Sequence, residues 1–324
     1  MQNLDEIKRR ILQEIKAAKK ALLIAHQKPD GDTAGAALAM AHFLEDSGKE
    51  FAVFSKHELN PNLHFLPKAE IWQTDHQIIV KADYDLLIVL DSGDLQYAGI
   101  AEHVDRLNHQ YTIINIDHHP TNTNYGHHNL INSDASSTCE IVYDLLNGAK
   151  ALNKKIATCL LTGIVTDTNG FSNLATTSKA VETAGQLLLH GASLKDITLR
   201  TLQHRPINTL KLWGRALQRL TKDGKTGMIL TAITQEDLIE CNADNSATEG
   251  VANFLNSLEE AKNSTIAVLS QGEPGKIKVS LRTTSPLLDV SKFAKLMGGG
   301  GHKKAAGFTI KGTLKSTTYG WKII

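Results

Sequence analysis

The sequence predicts an α/β protein: a parallel sheet with helices on both faces, followed by a smaller α/β domain. Apolar β-type runs alternate with helical-period segments through the first half, the mark of βαβ units and a buried sheet. Near Thr226 the texture changes to a second, shorter alternation. A length of 324 residues, at roughly 100–200 residues per domain, suggests about two domains, each able to bury a core without disulfides or structural zinc.

The N-terminal stretch MQNLDEIKRRILQEIKAAKK reads as an amphipathic helix. It carries charge throughout and lacks the apolar region and small-residue cleavage site of an export signal. Strands are expected at 21–26 (ALLIAH), 51–55 (FAVFS), 86–91 (LLIVLD) and 112–117 (TIINID), with a helix starting near Thr33 after the first. Ser136-Ser137-Thr138 ahead of Glu140 reads as a capping box, with Ser137 as N-cap of a helix CEIVYDLLNG that Gly148 is placed to end. A polar stretch follows Gly170, then a helix through VETAGQLLLHG. Residues 196–225 read as a charged helical bridge broken by Pro206. The expected division is 1–195, a linker at 196–225, and 226–324. In the last part, strands MILTAIT, STIAVLS and KIKVSLR accompany a helix around NSATEGVANFLNSLEE, with a turn at Gly272-Glu273-Pro274-Gly275.

Composition excludes several classes of function. With 35 Lys+Arg against 34 Asp+Glu, the net charge of +1 lacks the clustered basic excess that grips duplex DNA or an acidic membrane. An aromatic content of 5% argues against the stacking groove that holds long single strands. No run approaches the ~20 apolar residues of a membrane span. Cys139, Cys159 and Cys241 are odd in number and show no CxxC spacing, which suits reduced intracellular thiols. A cytoplasmic protein is expected, with a small anionic partner.

The chemistry is concentrated in four segments that each end an apolar run with an ionisable side chain, the place where open α/β sheets put their ligand sites. They are His26-Gln27-Lys28-Pro29-Asp30-Gly31-Asp32, Asp91-Ser92-Gly93-Asp94, Asp117-His118-His119-Pro120 and Thr166-Asp167-Thr168. Taken singly, an Asp before a helix is usually an N-cap and an Asp ending a strand is usually solvated. Parallel topology would bring all four strand ends to one edge, where the carboxylates of Asp30, Asp32, Asp91 and Asp167 would repel unless cations neutralised them. Carboxylate-rich sites with one imidazole per ion suit Mn²⁺ or Mg²⁺ better than Zn²⁺. Two such ions roughly 3.5–4 Å apart would share a bridging hydroxide and clamp a phosphoryl group for in-line displacement. Mn²⁺ is the first expectation. Asp94 is assigned a turn-capping role.

At these residues the sequence resembles the DHH phosphoesterase superfamily, named for the triplet that stands here as Asp117-His118-His119. The loop of His26, Pro29, Asp30 and Asp32, the strand-ending Asp91 and the pair Asp167-Thr168 complete its motifs in order. The resemblance implies that one metal takes His26, Asp30 and Asp91, and the other Asp32, a bridging Asp91, His118 and Asp167. It implies that His119 faces the scissile phosphate, with Asp117 fixing the tautomer of a neighbouring histidine.

In the second half, Gly298-Gly299-Gly300-Gly301-His302-Lys303-Lys304-Ala305-Ala306-Gly307 is too long and pure a glycine run for a simple turn. Its N–H groups could form an anion-binding nest; no Gly-Lys-Ser/Thr follows, so it is not a Walker loop. With the DHH motifs present, it resembles the signature of the DHHA1 domain. That resemblance implies substrate contacts from Gly299, Gly300, Gly301, His302 and the strand-borne Arg282, whose guanidinium suits a bidentate phosphate contact. Lys303 and Lys304 read as solvated charges. The segment Asn169-Gly170-Phe171-Ser172-Asn173 carries no basic residue, a departure from relatives that hold substrate there.

Stand-alone DHH–DHHA1 proteins of this length resemble hydrolases of short oligoribonucleotides (nanoRNases) and of 3′-phosphoadenosine 5′-phosphate. The expected function is therefore metal-dependent hydrolysis of one or both, in an interdomain cleft, by a protein that could be a homodimer. A phosphodiesterase of linear or cyclic dinucleotides is the alternative. A non-catalytic nucleotide sensor would show the loss of a ligand, whereas His26, Asp30, Asp32, Asp91, His118, His119 and Asp167 are all present.

Overall fold

The computed structural model describes residues 4–81, 83–104, 107, 110–203, 206–224, 226–317 and 320–324. The chain divides into two compact units, Met1–His204 and Arg205–Ile324. No helix among the described residues is long and apolar enough to cross a membrane.

In the first unit, α1 (Leu4–Ala17) buries Ile11 and Ile15 and exposes its charged face. There follow β1 (Lys20–Ala25), α2 (Gly31–Asp46), β2 (Glu50–Phe54), β3 (Trp72–Gln73), α3 (Gln77–Lys81), β4 (Leu86–Leu90), α4 (Ala101–Val104), β5 (Thr112–Asp117) and β6 (His128–Ile131). Helices α5 (Thr138–Gly148), α6 (Lys154–Asp167), α7 (Ser178–Leu189) and α8 (Leu194–Thr198) complete it. The sheet runs β3-β2-β1-β4-β5-β6 with every pairing parallel. Strands β1 and β4 are near-continuous aliphatic runs because both faces are covered, and β5 is aliphatic apart from Thr112, the buried Asn115 and the terminal Asp117. Leu23, Ala25, Ile88, Leu90 and Ile116 pack with α2, α5 and α6 on one face. Leu22, Ile24, Leu87, Val89 and Ile113 pack with Ile79 of α3 and Val104 of α4 on the other.

Strand order reverses between β1 and β4: the chain winds outward to β3 from one and to β6 from the other. The crevice at the carboxyl ends of those two strands is the natural ligand site of such a sheet. Register sharpens the point. Ala25 pairs with Leu90 and Leu90 with Ile116, so the next residues, His26, Asp91 and Asp117, stand in a row on three neighbouring strand ends.

The second unit comprises α9 (Ile207–Gln218), β7 (Thr221–Lys222), β8 (Ile229–Ile233), α10 (Gln235–Glu240), α11 (Val251–Leu255), β9 (Thr265–Glu273), β10 (Lys276–Thr283), α12 (Val290–Leu296), β11 (Gly300–His302), β12 (Ala305–Lys311), β13 (Leu314–Thr317) and β14 (Gly320–Ile323). Its mixed sheet is ordered β11-β12-β10-β9-β8-β7, beside a β13-β14 hairpin. The single helix expected around 245–260 is instead a 3-10 turn, α11 and a second 3-10 turn. Gly250, left-handed at φ 86, breaks it. The expected bridge at 196–225 is shared between the units. Ile197 and Leu202 pack into the first core, whereas Leu212, Trp213 and Ala216 of α9 pack into the second. Pro206 stands between the helical turn that ends at Gln203 and α9, which it caps, in line with the break expected there; His204, Arg205 and Lys225 lie outside the described residues.

Candidate metal centre at the switch point of the sheet

The loop after β1 is short because Asp30 ends it. Its Oδ1 accepts the N–H groups of Asp32 and Thr33 at 3.0 and 3.1 Å and caps α2, which starts two residues before the expected Thr33. Asp32 thereby falls inside the first helical turn and is fully buried. Its two oxygens accept the N–H groups of Thr138 (2.6 Å) and Cys139 (2.9 Å) at the start of α5. Ser137 is the N-cap of α5 as expected, but Glu140 reaches back to Ser136 instead of Ser137.

Asp91 follows β4 in a left-handed conformation, φ 58, a strain that surroundings must over-determine. Its N–H donates to the Ile116 carbonyl at 2.9 Å, and the Thr138 hydroxyl donates to its Oδ1 at 3.0 Å. Asp94 accepts the Tyr97 N–H at 2.6 Å, the turn-capping role expected of it.

One expectation is corrected. Asp167 does not end a strand; it is the last residue of α6. The apolar run before it is short and buried all round against α2, α5 and α7, and such a run reads alike as buried strand or buried helix. The helix nonetheless delivers Asp167 to the same place as the strand ends. Gly163 makes this approach feasible, since a Cβ there would lie 2.6 Å from Asp32 Oδ1 and 2.3 Å from Cys139 Sγ.

Two donor clusters result. His26, Asp30 and Asp91 form one, and Asp32, His118 and Asp167 the other, each with candidate ligand atoms within 4.8 Å of one another. In the first, His26 Nε2 lies 3.4 Å from Asp91 Oδ2 and 3.7 Å from Asp30 Oδ1. In the second, His118 Nε2 lies 3.4 Å from Asp167 Oδ2, 3.9 Å from Asp32 Oδ2 and 3.6 Å from Asp91 Oδ1. Asp91 thus presents one oxygen to each cluster. His118 Nδ1 faces the Ala135 carbonyl at 3.5 Å, the kind of partner that orients a ring so that Nε2 is the ligating atom.

The electrostatics describe a site short of positive charge. Burial, then the neighbouring carboxylates Asp91 and Asp30, push the Asp32 carboxyl well up. Asp167 is raised by burial and then by Asp32, Asp30 and Asp91. Burial would also raise Asp91, but the imidazoles of His26, His119 and His118 hold it below the usual carboxylate range. His26 is pushed up to about 10, because Asp30 and Asp91 outweigh the opposing effect of burial. Crowded buried carboxylates with imidazoles among them are a donor set that fits divalent cations, which relieve the repulsion.

His119 borders both clusters, its Nδ1 3.6 Å from Asp91 Oδ1, and forms a further donor group with Asp91 and Asp117. Its Nδ1 lies 2.7 Å from Asp117 Oδ1; burial lowers the imidazole pKa, but this bond together with the charges of Asp91, Asp117 and Asp32 outweighs it and pushes the group up to about 9. Asp117 also accepts the backbone N–H groups of His118 (2.8 Å) and His119 (3.2 Å).

Sequence reasoning missed four contributors: Thr138, Asn122, Tyr97 and Tyr125. The Tyr97 ring packs 4.9 Å from the His26 ring. The Tyr125 hydroxyl and Asn122 Nδ2 both donate to the Ser92 carbonyl, at 3.0 and 3.2 Å. The polar run Thr121-Asn122-Thr123-Asn124 after the triplet hints at Asn122 alone among them, and it reads equally as a turn.

In the second unit the glycine run differs from the expected nest. Gly300–His302 form an edge strand paired with Ala305–Gly307. Gly301, at φ 131, and Gly299 are required by close backbone approach: a Cβ would meet the Ala305 carbonyl at 2.5 Å and the Gly307 carbonyl at 2.1 Å respectively. Lys304 is structural, its Nζ donating to the carbonyls of Ser285 and Leu288. Arg282 lies on β10, its Nε donating to Asn253 Oδ1 at 2.6 Å and its Nη1 to the Leu281 carbonyl at 2.9 Å.

Motifs, sheet order and clusters together define a class, and the chain belongs to the DHH family. The DHH family, N-terminal domain, matches residues 20–164, and the DHHA1 domain matches residues 229–317. The chain is 31% identical over 308 residues to the bifunctional oligoribonuclease and PAP phosphatase NrnA of Thermus thermophilus, covering 94% of this chain and 88% of that protein. It is 26% identical over 312 residues to the protein of the same name from Bacillus subtilis, covering 94% and 93%. An exopolyphosphatase-related protein from Bacteroides fragilis shares the fold, with a TM-score of 0.86 at 24% identity over 95% of this chain and 92% of that one.

Proposed function

We propose that this protein is a divalent-cation-dependent phosphoesterase that hydrolyses short oligoribonucleotides and 3′-phosphoadenosine 5′-phosphate. The observation that carries the reading is the pair of clusters sharing Asp91, in a chain whose relatives over most of its length bear those two activities in their names. His26, Asp30 and Asp91 would hold one cation, and Asp32, Asp91, His118 and Asp167 the other. One imidazole among carboxylates favours Mn²⁺, with Mg²⁺ as the alternative. When bound, such ions polarise phosphoryl oxygens and lower the pKa of water.

The chain's own residues supply the rest. Asp117 on Nδ1 directs the other edge of the His119 ring outward, where a protonated Nε2 can donate to a phosphoryl or leaving oxygen. Arg282, held by Asn253, and His302, on the glycine-rich hairpin with Gly299, Gly300 and Gly301, would bind a phosphate or base of a nucleotide.

The test is product release from a dinucleotide, a five-nucleotide RNA, a 24-nucleotide RNA, 3′-phosphoadenosine 5′-phosphate, cyclic di-AMP and pyrophosphate, each with Mn²⁺, Mg²⁺ or EDTA, beside Asp91→Ala. Cation-dependent turnover favouring the shortest linear RNAs and 3′-phosphoadenosine 5′-phosphate, lost in Asp91→Ala, is expected. Tight nucleotide binding without turnover of any substrate would instead make the protein a sensor.

A further inference from the structure

We infer that Asn122 is a positioning residue for His119, acting through Asp117. Every hydrogen-bonding capacity of its amide is used. Nδ2 donates to Asp117 Oδ2 at 2.6 Å and to the Ser92 carbonyl at 3.2 Å. Oδ1 accepts the Asn124 N–H at 2.7 Å and Asn115 Nδ2 at 2.9 Å. The partners of Nδ2, with Asn115 Oδ1 as a longer third at 3.5 Å, are all acceptors and both partners of Oδ1 are donors, so the amide has one orientation.

The arrangement ties two strand ends together. Ser92 follows Asp91 at the end of β4, and Asp117 ends β5; one side chain bridges them. With Oδ1 on the backbone N–H groups of His118 and His119 and Oδ2 held by Asn122, the Asp117 carboxylate cannot rotate, and Oδ1 stays aimed at His119 Nδ1. The buried Asn115, on β5, anchors the amide from below and also reaches Asn129 Oδ1 at 3.2 Å, so the loop between β5 and β6 is pinned at both ends. On removal of Asn122 the Ser92 carbonyl keeps the Tyr125 hydroxyl and Asn115 Nδ2 keeps Asn129, whereas the buried Asp117 Oδ2 and the Asn124 N–H would be left to find new partners. The Asp117 carboxylate would turn to recover one, and the His119 ring would follow it.

The kinetic arm of the test rests on the proposed function; the spectroscopic arm does not. In nitrogen-15 NMR of the cation-free protein, the native chain should show a hydrogen-bonded Nδ1–H proton of His119, assigned by its loss in His119→Gln. That signal should exchange away in Asn122→Ala and in the near-isosteric Asn122→Asp, which sets a carboxylate oxygen against Asp117 Oδ2. Asn129→Ala, which loosens the loop without touching Asp117, should lower the Tm and keep the signal. In turnover, Asn122→Ala should lower kcat by about 10–100-fold with little change in KM. In a His119→Ala background it should cost almost nothing more, because two residues acting as a unit are not additive. A persistent His119 signal in both Asn122 variants, or fully additive losses in the double variant, would overturn the inference. Absence of turnover in the native protein would sink the proposed function and leave the NMR comparison to decide this one.

Discussion

Asp91 concentrates what is unusual about this chain: a non-glycine residue at φ 58, buried, with its two oxygens turned to different imidazoles. Such a conformation persists only where neighbours fix it, and one of them is the Thr138 hydroxyl on Oδ1. Thr138→Val keeps the shape and removes that donor, while the Thr138 N–H still serves Asp32. The expected outcome is a rise of about 10-fold in the dissociation constant for Mn²⁺, read by calorimetry, with little change in fold. An unchanged affinity would show that the backbone alone holds Asp91.

Among the elements, α2 and α6 matter most, because Asp32 on one and Asp167 on the other must come within reach of His118. Gly163→Ala should place a methyl group against Asp32 and Cys139, costing about 1–3 kcal/mol in stability and weakening cation binding more than that loss alone explains. Urea unfolding beside a Mn²⁺ titration separates the two effects. In the second unit, α9 is tied to α10 through Asp237, which accepts Arg219 Nη2 at 2.8 Å and also Nη1 and caps α10 with Thr234. Burial would raise the Asp237 carboxyl, but the Arg219 guanidinium and the Thr234 donors hold it below its ordinary value. A depressed carboxylate stabilises the fold fully above its unfolded pKa of about 3.9, and this contribution is lost as pH falls below that value through the folded one. Asp237→Asn should cost about 1–3 kcal/mol at neutral pH and flatten the acid limb of the stability curve. An unaltered acid limb in thermal unfolding would refute that.

The whole molecule has two units, each with its own apolar clusters, and every residue of the two cation clusters belongs to the first. A ligand that binds only the folded state adds about 2.7 kcal/mol when present at 100 times its dissociation constant. Saturating Mn²⁺ is therefore expected to raise amide-exchange protection in residues 4–203 and to leave the cores of residues 206–324 unchanged, in mass-spectrometric exchange with EDTA as control. Equal protection of both units would count against it.

Much of this was legible in the chain itself, for local reasons. Strands β1, β4 and β5 are dominated by aliphatic residues, and each stops at the ionisable residue that joins the site. The cap at Ser137 and the breaker at Pro206 are likewise decided within a few residues. The second unit was less legible, because its glycine run serves close strand approach and its expected long helix is interrupted by one left-handed glycine. What the sequence by itself determined is the kind of ligands and the loops that carry them, since residue type and chain punctuation are local properties. Tertiary structure alone decided that Asp167 arrives on a helix, that Thr138 holds both Asp32 and Asp91, and that Asn122 links Asp117 to Ser92. Those bonds join residues up to 106 positions apart, and only the packing of α2, α5 and α6 on a sheet whose order reverses between β1 and β4 brings them within hydrogen-bond distance.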